Sequence, residues 1–540
     1  MDTSNRNTKN GKVTSGNNAT FWIDSTNPLP LEKLDENLNV DVVIVGGGIA
    51  GISVAYNLLR AGKTVALVED GQIGSGETGR TSAHLTTVLD ERYYQLEKIH
   101  GKDNVKLIAE SHRKAIEYIE TVVNTESIKC DFQRVYGYLF LHPTDKPESL
   151  QKELDAACAA GLEVCELQDI PGINNVPGPC LRFSNQAQFH PQKYIYGLAK
   201  SIIAHGGQIF TETHASEIDE NGILTKEGYR INAKHIVVAT NSPVNNKYMM
   251  HLSQSAYRTY LIGARIRKDV VKEALWWDTG DQENKSQAYH YVRLQNLDDD
   301  FDLLLCGGED HATGLSDDSE IPLESDRYGI LENWVRERFP IEDVLYKWSG
   351  QVIYPFDSLG FIGRNPHDKN NIYIVTGDSG NGMTYATIAG MLITDLINER
   401  PNKYEKIYSP SRFRFLKAAG VFVEELVGGL ASYFKKKPAH RVDSLEEIQT
   451  GDGKIVEIDG KKYGAYRDEA NLFHIVGAEC THMGCIIKWN KDEKSWDCPC
   501  HGSRFTSKGT VINGPANKDL NYHKIHASDL VSQEQLNLKK

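Results

Sequence analysis

The chain alternates between two kinds of hydrophobic pattern. Residues 41–45, DVVIV, form a short apolar run of the kind found in parallel strands buried on both faces. The following ISVAYNLLRAG spaces its apolar residues as a helix does, with Ile52, Ala55, Leu58 and Leu59 on one face, and TVALVE then returns to a strand. Between residues 250 and 350, YRTYLIGARI, AYHYVRLQ, FDLLLCGGEDHATG and KWSGQ alternate like strands of an antiparallel sheet. IYIVTGDSGNGMTYATIAGMLITDLI reads as strand, Gly-rich turn and helix. After about residue 440, KIVEID, KKYGAYRD and NLFHIVG predict a small all-β domain.

The joining segment has its own character. ERPNKYEKIYSPSRFRF is polar and basic. FLKAAGVFVEELVGGLASYF then places Phe415, Ala419, Phe422, Leu426 and Leu430 at helical spacing, before KKKP. Residues 401–440 are predicted to be a linker with an amphipathic helix bracing two domains. The flanking lysines also suit contact of residues 411–437 with a membrane surface. Lys417, Glu424 and Glu425 exclude a spanning helix there, and no apolar run reaches 18 residues elsewhere.

Composition narrows the partners. The 540 residues suffice for three or four domain-sized units. Lys and Arg total 60 against 73 Asp and Glu, a net charge of −13, which argues against nucleic acid or an anionic membrane as the main partner. The polar start, residues 1–20, has no apolar core and reads as a disordered tail, not a signal peptide. Cys130, Cys158, Cys165, Cys180 and Cys306 are scattered and odd in number, which suits a reduced, cytoplasmic setting.

The first motif sits between the first strand and helix. Gly46, Gly48 and Gly51 satisfy G-x-G-x-x-G, and Glu69 ends the next strand 23 residues after Gly46. Gly46 permits the tight turn, Gly48 lets the backbone approach a pyrophosphate, and Gly51 lets helix and strand pack closely. The helix N-terminus offers N–H groups to phosphates, and Glu69 can accept from ribose hydroxyls. GSGETG, residues 74–79, matches the same expression but precedes no good helix and reads as a loop. One dinucleotide site is therefore expected.

From here the chain resembles the FAD-dependent amine and amino-acid oxidoreductases of the D-amino-acid oxidase and glycine oxidase type. GSGETGRTSAHLT resembles the family's loop along the flavin. HPQKYIYGLAKSIIAHGGQIFTETHASEI resembles its helix–strand pair, with Ala215 and Ser216 near the adenine. IVVATNSP resembles the returning strand, and YPFDSLGFIG with the Gly-rich turn after it resembles the C-terminal FAD signature. The resemblance covers about residues 40–400. It implies an α/β FAD-binding domain, Rossmann-like and of the glutathione-reductase type, at about 39–90, 190–245 and 350–400. An interleaved α+β antiparallel-sheet substrate domain is implied at about 91–189 and 246–349, after a tail spanning 1–38. Implied FAD contacts are Gly46, Gly48, Ile49, Ala50, Gly51, Glu69, Arg80, Thr81, Ser82, His84, Ala215, Gly380, Gly382, Met383 and Thr384. The helix beginning there would stabilise negative charge on reduced flavin.

Candidate catalytic groups are fewer. His84, in RTSAHLT, falls where the resemblance places the isoalloxazine ring. Dimethylglycine-dehydrogenase-like members attach FAD through a histidine in a similar loop, but theirs reads more like STWH; the alternative is a histidine hydrogen-bonded to backbone. On AYHYVRL, alternation puts His290 and Arg293 on opposite faces. Arg293 is a candidate clamp for a substrate carboxylate, or a surface charge on a strand. Tyr289, Tyr291, His311 and Gln351 are further candidates.

Near the end, Cys480-Thr-His482 precedes Cys498-Pro-Cys500-His501. Two Cys/His pairs at this spacing resemble a Rieske [2Fe-2S] site, in which two thiolates hold one iron and two imidazoles the other. A Cys2His2 set also suits zinc, but two extra cysteines, the CPCHGS string and NGPA at 513–516 favour iron. The resemblance implies metal ligands Cys480, His482, Cys498 and His501, a disulfide between Cys485 and Cys500, and a Rieske domain over 441–540. Ser503 is kept, whereas Phe505 stands where high-potential relatives have tyrosine, which implies a lower potential.

The expected activity is an FAD-dependent dehydrogenation of an amine or amino-acid-like substrate at a CH–NH or CH–NH2 group. Electrons would leave one at a time through the cluster to an unidentified acceptor protein. The alternatives are an electron-transfer component feeding a separate oxygenase and a redox sensor. A second nucleotide turn for NAD(P)H is missing from the sequence, which weighs against the first.

Overall fold

The computed structural model describes residues 16, 18–244, 250–283, 289–314, 326–366, 368–412, 441–442, 445–458 and 460–526. Contacts divide the chain into two compact units. The first holds 1–254, 258–310 and 325–415; the second holds 255–257, 311–324 and 416–540. The predicted linker helix lies outside the described residues. Among those described, no helix is long and apolar enough to cross a membrane.

The first unit contains the expected nucleotide-binding architecture. Its sheet runs in the order Phe361–Arg364, Ile372–Thr376, Arg230–Val238, Leu38–Val45, Val65–Val68, Gln208–Phe210. The four strands from Ile372–Thr376 to Val65–Val68 are parallel, with Val42 opposite both His235 and Val65. Val42, Val43 and Ile44 are fully buried because helices cover the sheet, and each such side chain contributes roughly 1.5–3 kcal/mol. The helices Ile49–Arg60 and Gly382–Ile397 pack so closely at Gly390 that a Cβ there would meet Ser53 O at 2.9 Å.

A nine-stranded sheet forms the second layer: Val344–Pro355, Gln254–Arg267, Phe301–Ala312, Tyr291–Asn296, Leu275–Asp278, Gln133–Phe140, Cys180–Gln188 and His84–Leu85, with Val164–Leu167 beside Cys180–Gln188. Pairing is antiparallel at Tyr291–Asn296 with both of its neighbours. Leu275–Asp278 and Gln133–Phe140, however, run parallel. Strand Val344–Pro355 belongs wholly to this sheet, so a boundary at 350 would cut through it.

Part of the span assigned to the tail, 1–38, is folded. Thr20 caps a short helix, Phe21–Asp24, whose Trp22 is fully buried and donates its indole N–H to Thr81 O at 2.6 Å. An apolar Phe-Trp pair beside a capping threonine overrides the polar sequence around it.

The second unit is all-β over its described part. A five-stranded sheet orders Arg441–Val442, Gly453–Ile458, Lys461–Arg467, Leu472–Gly477 and Tyr522–His526. A four-stranded sheet orders Lys488–Asn490, Ser495–Asp497, Arg504–Thr506 and Val511–Asn513. Trp496 and Phe505 fill the core, and Gly464 is small because the Trp496 ring lies where a Cβ would sit.

Candidate functional site

The first turn is built around its glycines. Gly46 has φ +109°, and a Cβ there would lie 2.5 Å from Ala239 O. A Cβ on Gly51 would lie 1.9 Å from Gly46 O, so only glycine lets the helix sit this close to the turn. Gly48 is the N-cap, with no side chain capping the Ile49–Arg60 helix; Ala50 follows in its first turn, while the Ile49 N–H goes to Thr78 Oγ1 at 3.0 Å. The Glu69 carboxylate accepts from Gly47 N at 2.6 Å and Gly71 N at 2.9 Å, which sets it at the rim of the turn.

The second turn carries Gly380 at φ +75°. A Cβ there would lie 1.9 Å from Asp90 Oδ2. Gly382 opens the Gly382–Ile397 helix, again without a side-chain cap, and Met383 and Thr384 are buried in its first turn. Thr384 pairs with His112 Nδ1 at 2.8 Å. Ser379 Oγ and Asn381 Oδ1 are buried without a hydrogen-bond partner. Two helix starts whose N-cap residues supply no side-chain cap, glycine turns and unmet polar atoms fit a dinucleotide with a polar ring system.

His84 is half-buried with both ring nitrogens engaged: Nδ1 with Ser82 Oγ at 2.9 Å and Nε2 donating to Val292 O at 3.3 Å. Burial, then the nearby Arg293 charge, pull its pKa down to about 3, so it is neutral. Around it, Thr81 Oγ1 accepts from Ala83 N, and Ala83 itself takes φ +59°. Arg80 is buried and donates to Ser349 O and Asn18 O. Ala215 opens the strand Ala215–Asp219.

Arg293 is neither the surface charge nor the open clamp considered from sequence. It is fully buried and donates to Ala83 O and Phe189 O, each at 2.9 Å, to Leu294 O and to Gln295 Oε1. It straps the His84 loop to the sheet, and carbonyls occupy the donors a carboxylate clamp would need. His290 lies elsewhere, pairing through Nδ1 with Asp278 at 2.8 Å and stacking on Trp334 at 4.3 Å. Gln351 donates its backbone N–H to Glu77, and Tyr291 pairs with Thr259 at 2.7 Å. His311 Nδ1 pairs with Ala312 O at 2.9 Å.

Sequence reasoning missed a group of half-buried carboxyls. Asp90 accepts from Tyr354 OH at 2.6 Å and also bonds Tyr289; burial raises its pKa despite both bonds. Burial likewise pushes Asp310 and Asp378 up to about 7. Asp310 bonds Thr259, and Asp378 accepts from Ile353 N. Asp378 falls within the Gly-rich C-terminal signature, but neither it nor Asp90 nor Asp310 was singled out from sequence, and more than 200 residues separate Asp90 from the other two.

In the second unit two matching turns carry the Cys/His pairs. Cys480 N donates to Cys485 O, and Cys498 N to Ser503 O, each at 2.8 Å. The Cys480 and Cys498 thiols are buried and hydrogen-bonded; Cys498 holds Cys480 below the usual thiol range and is itself pushed up. The His482 and His501 rings stand 4.9 Å apart, nearly perpendicular. Burial, then His482, lower His501 to about 4, keeping it a neutral ligand. Cys485 and Cys500 form a disulfide joining the two loops, and the Cys498 sulfur lies within 4.8 Å of both its sulfurs. Gly514–Pro515 is cis, and Ala516 N donates to Ser503 Oγ at 3.0 Å. Thiols paired on one side and imidazoles on the other fit a cluster with one S-ligated and one N-ligated iron.

Residues 41–396 match the family model described as FAD dependent oxidoreductase, and residues 439–524 match the Rieske [2Fe-2S] domain. The chain belongs to the FAD dependent oxidoreductase family and carries a C-terminal Rieske domain. FAD and a Rieske [2Fe-2S] cluster are its cofactors. This oxidoreductase is 32% identical over 506 residues to the putative Rieske 2Fe-2S iron-sulfur protein YhfW of Bacillus subtilis (strain 168), covering 93% of this chain and 96% of that protein. It is 25% identical over 401 residues to the gamma-glutamylputrescine oxidoreductase of Escherichia coli (strain K12), covering 72% and 90% of the two chains. Its fold resembles the glycine oxidase of Geobacillus kaustophilus, with TM-score 0.57 and 16% identity over 70% of this chain and 99% of that one.

Proposed function

We propose that this FAD-dependent oxidoreductase dehydrogenates an amine or amino-acid-like substrate and delivers the electrons singly, through its Rieske cluster, to an acceptor protein. The observation that carries the reading is the presence in one chain of a two-turn flavin cradle and a paired-thiol, paired-imidazole cluster site. The name of the Escherichia coli relative supports an amine donor.

Bound in these sites, FAD would supply a two-electron acceptor for a C–H hydride, and the cluster a one-electron carrier. The chain's own residues do the rest. The turns at Gly46–Gly51 and Gly380–Thr384 hold the cofactor, with Ser379 and Asn381 offering unmet polar atoms. The uncapped start of the Gly382–Ile397 helix favours negative charge beside it. Arg293 fixes the His84 loop. An ammonium must lose a proton before its C–H bond is oxidised, and a half-buried carboxyl near pKa 7, Asp310 or Asp378, is matched to accept it.

The test is anaerobic absorbance of the flavin- and iron-loaded protein during addition of a panel of amines and amino acids. One of them should bleach the flavin band and then the Rieske band. Reduction by NADH or a reduced ferredoxin, and by no amine, would instead make the chain an electron-transfer component for a separate oxygenase.

A further inference from the structure

Beside the Gly380 turn lies a cavity of about 140 Å³ whose lining includes Asp90, Glu91, Asp145, Glu153, Arg92 and Tyr289. Asp90 connects the two places. Its Oδ2 takes the Tyr354 hydroxyl and lies where a Gly380 Cβ would stand, and the same residue lines the cavity. Glu153, on the Pro147–Ala159 helix, is 1% exposed. One of its oxygens accepts from Tyr94 N at 3.4 Å, while Oε1 is buried without a hydrogen-bond partner. A carboxyl oxygen left unmatched in such a place lacks the donor that would offset its burial. Burial raises the pKa of Glu153 to about 7 and also raises those of Asp90 and Glu91, as expected where cations are scarce.

The chemistry of the missing donor is constrained. Four carboxyls face one arginine, and Arg92 directs its guanidinium to Leu89 O and Asp278 O. The cavity therefore repels an anion. Among the described residues, no three of these carboxyls bring their oxygens within 4.8 Å of one another, which is too open for a metal ion. An alkylammonium group, with three donors and a compact charge, suits walls spaced this way.

We infer that this cavity receives a second ammonium group of the substrate, so that the substrate class is a diamine-like dication rather than an α-amino acid. The inference rests on the amine-oxidising reading above and narrows it. The reacting amine would lie at the Asp90–Tyr289 end, and the distal ammonium against Glu153 and Asp145.

Equilibrium dialysis of the anaerobic, flavin- and iron-loaded protein against 1,4-diaminobutane, butylamine and 4-aminobutanoate tests it, with flavin absorbance read in parallel. The diamine should bind at least about tenfold more tightly than butylamine, and 4-aminobutanoate most weakly. Glu153→Gln should collapse that preference toward one. Asp145→Asn, less deeply set, should reduce it in the same direction and stands in if Glu153→Gln does not fold. Equal binding of diamine and butylamine, or a preference that survives both substitutions, overturns the inference. If butylamine and amino acids bleach the flavin as well as the diamine does, without any binding preference, the amine-oxidising reading stands and the inference falls. A preferred diamine that leaves the flavin band intact supports the ammonium site and overturns the amine-oxidising reading.

Discussion

The pair His290–Asp278 makes a stability prediction with a definite sign. The His290 Nδ1 lies 2.8 Å from Asp278 Oδ2 and its Nε2 3.6 Å from Glu309 Oε1, with the ring against Trp334. Burial favours the neutral imidazole, but Asp278 and Glu309 outweigh it and raise the pKa from 6.5 to about 9. A histidine whose folded pKa exceeds its unfolded one binds protons preferentially in the folded state. Its contribution is therefore complete below pH 6.5 and is lost as pH rises through 9. At 1.36 kcal/mol per unit the shift amounts to ~3 kcal/mol. Asp278 is lowered by the same contact, so its shift is not added. The reference is the neutral pair Asp278→Asn with His290→Gln, because removing one partner alone strands a buried charge. Chemical unfolding of both proteins at fixed ionic strength between pH 6 and pH 10 reads the difference. Wild type should lose ~3 kcal/mol relative to the reference across that range. A gap that stays constant, or widens with pH, would refute the argument.

Other perturbations follow from the same geometry. Gly51→Ala should overpack the first turn against Gly46 O, cost roughly 1–3 kcal/mol and lower the flavin-to-protein ratio of the purified protein. Arg412→Ala should cost about 3–5 kcal/mol in an unfolding titration because it strands fully buried Asp357, whereas Arg412→Met with Asp357→Asn should be much milder. Ser503→Ala should lower the cluster potential in a redox titration, because Ser503 hydrogen-bonds Cys480; Phe505→Tyr should raise it.

The sequence made the cofactors legible because each is marked by a local motif. The Gly46–Gly51 turn is one short stretch and the two Cys/His pairs fall within 480–501, and their spacing encodes their chemistry. The proposed substrate side is not local. Asp90 meets Tyr289 and Tyr354 across about 200 or more residues, and Glu153 sits on a helix whose amphipathic pattern gives no hint of a buried carboxylate. Arg293 shows the limit of alternation: period two assigns a face, but not whether carbonyls from the 83 and 189 loops will fill the donors. The span 1–38 includes the short helix Phe21–Asp24 because two aromatic residues just past the polar stretch 1–20, Phe21 and Trp22, are buried.

The central claim is a direction of flow, from substrate to flavin to cluster. Rapid anaerobic mixing of the fully loaded protein with a reducing amine, followed by absorbance and freeze-quenched paramagnetic resonance, tests it most directly. The flavin band should bleach first, and the reduced-cluster signal should then rise at the expense of reduced flavin. In Cys480→Ser, which loses a cluster ligand, the flavin should still bleach while that signal is absent. A cluster that stays oxidised in wild type while amine-reduced flavin persists, or one reduced before the flavin, would contradict the account.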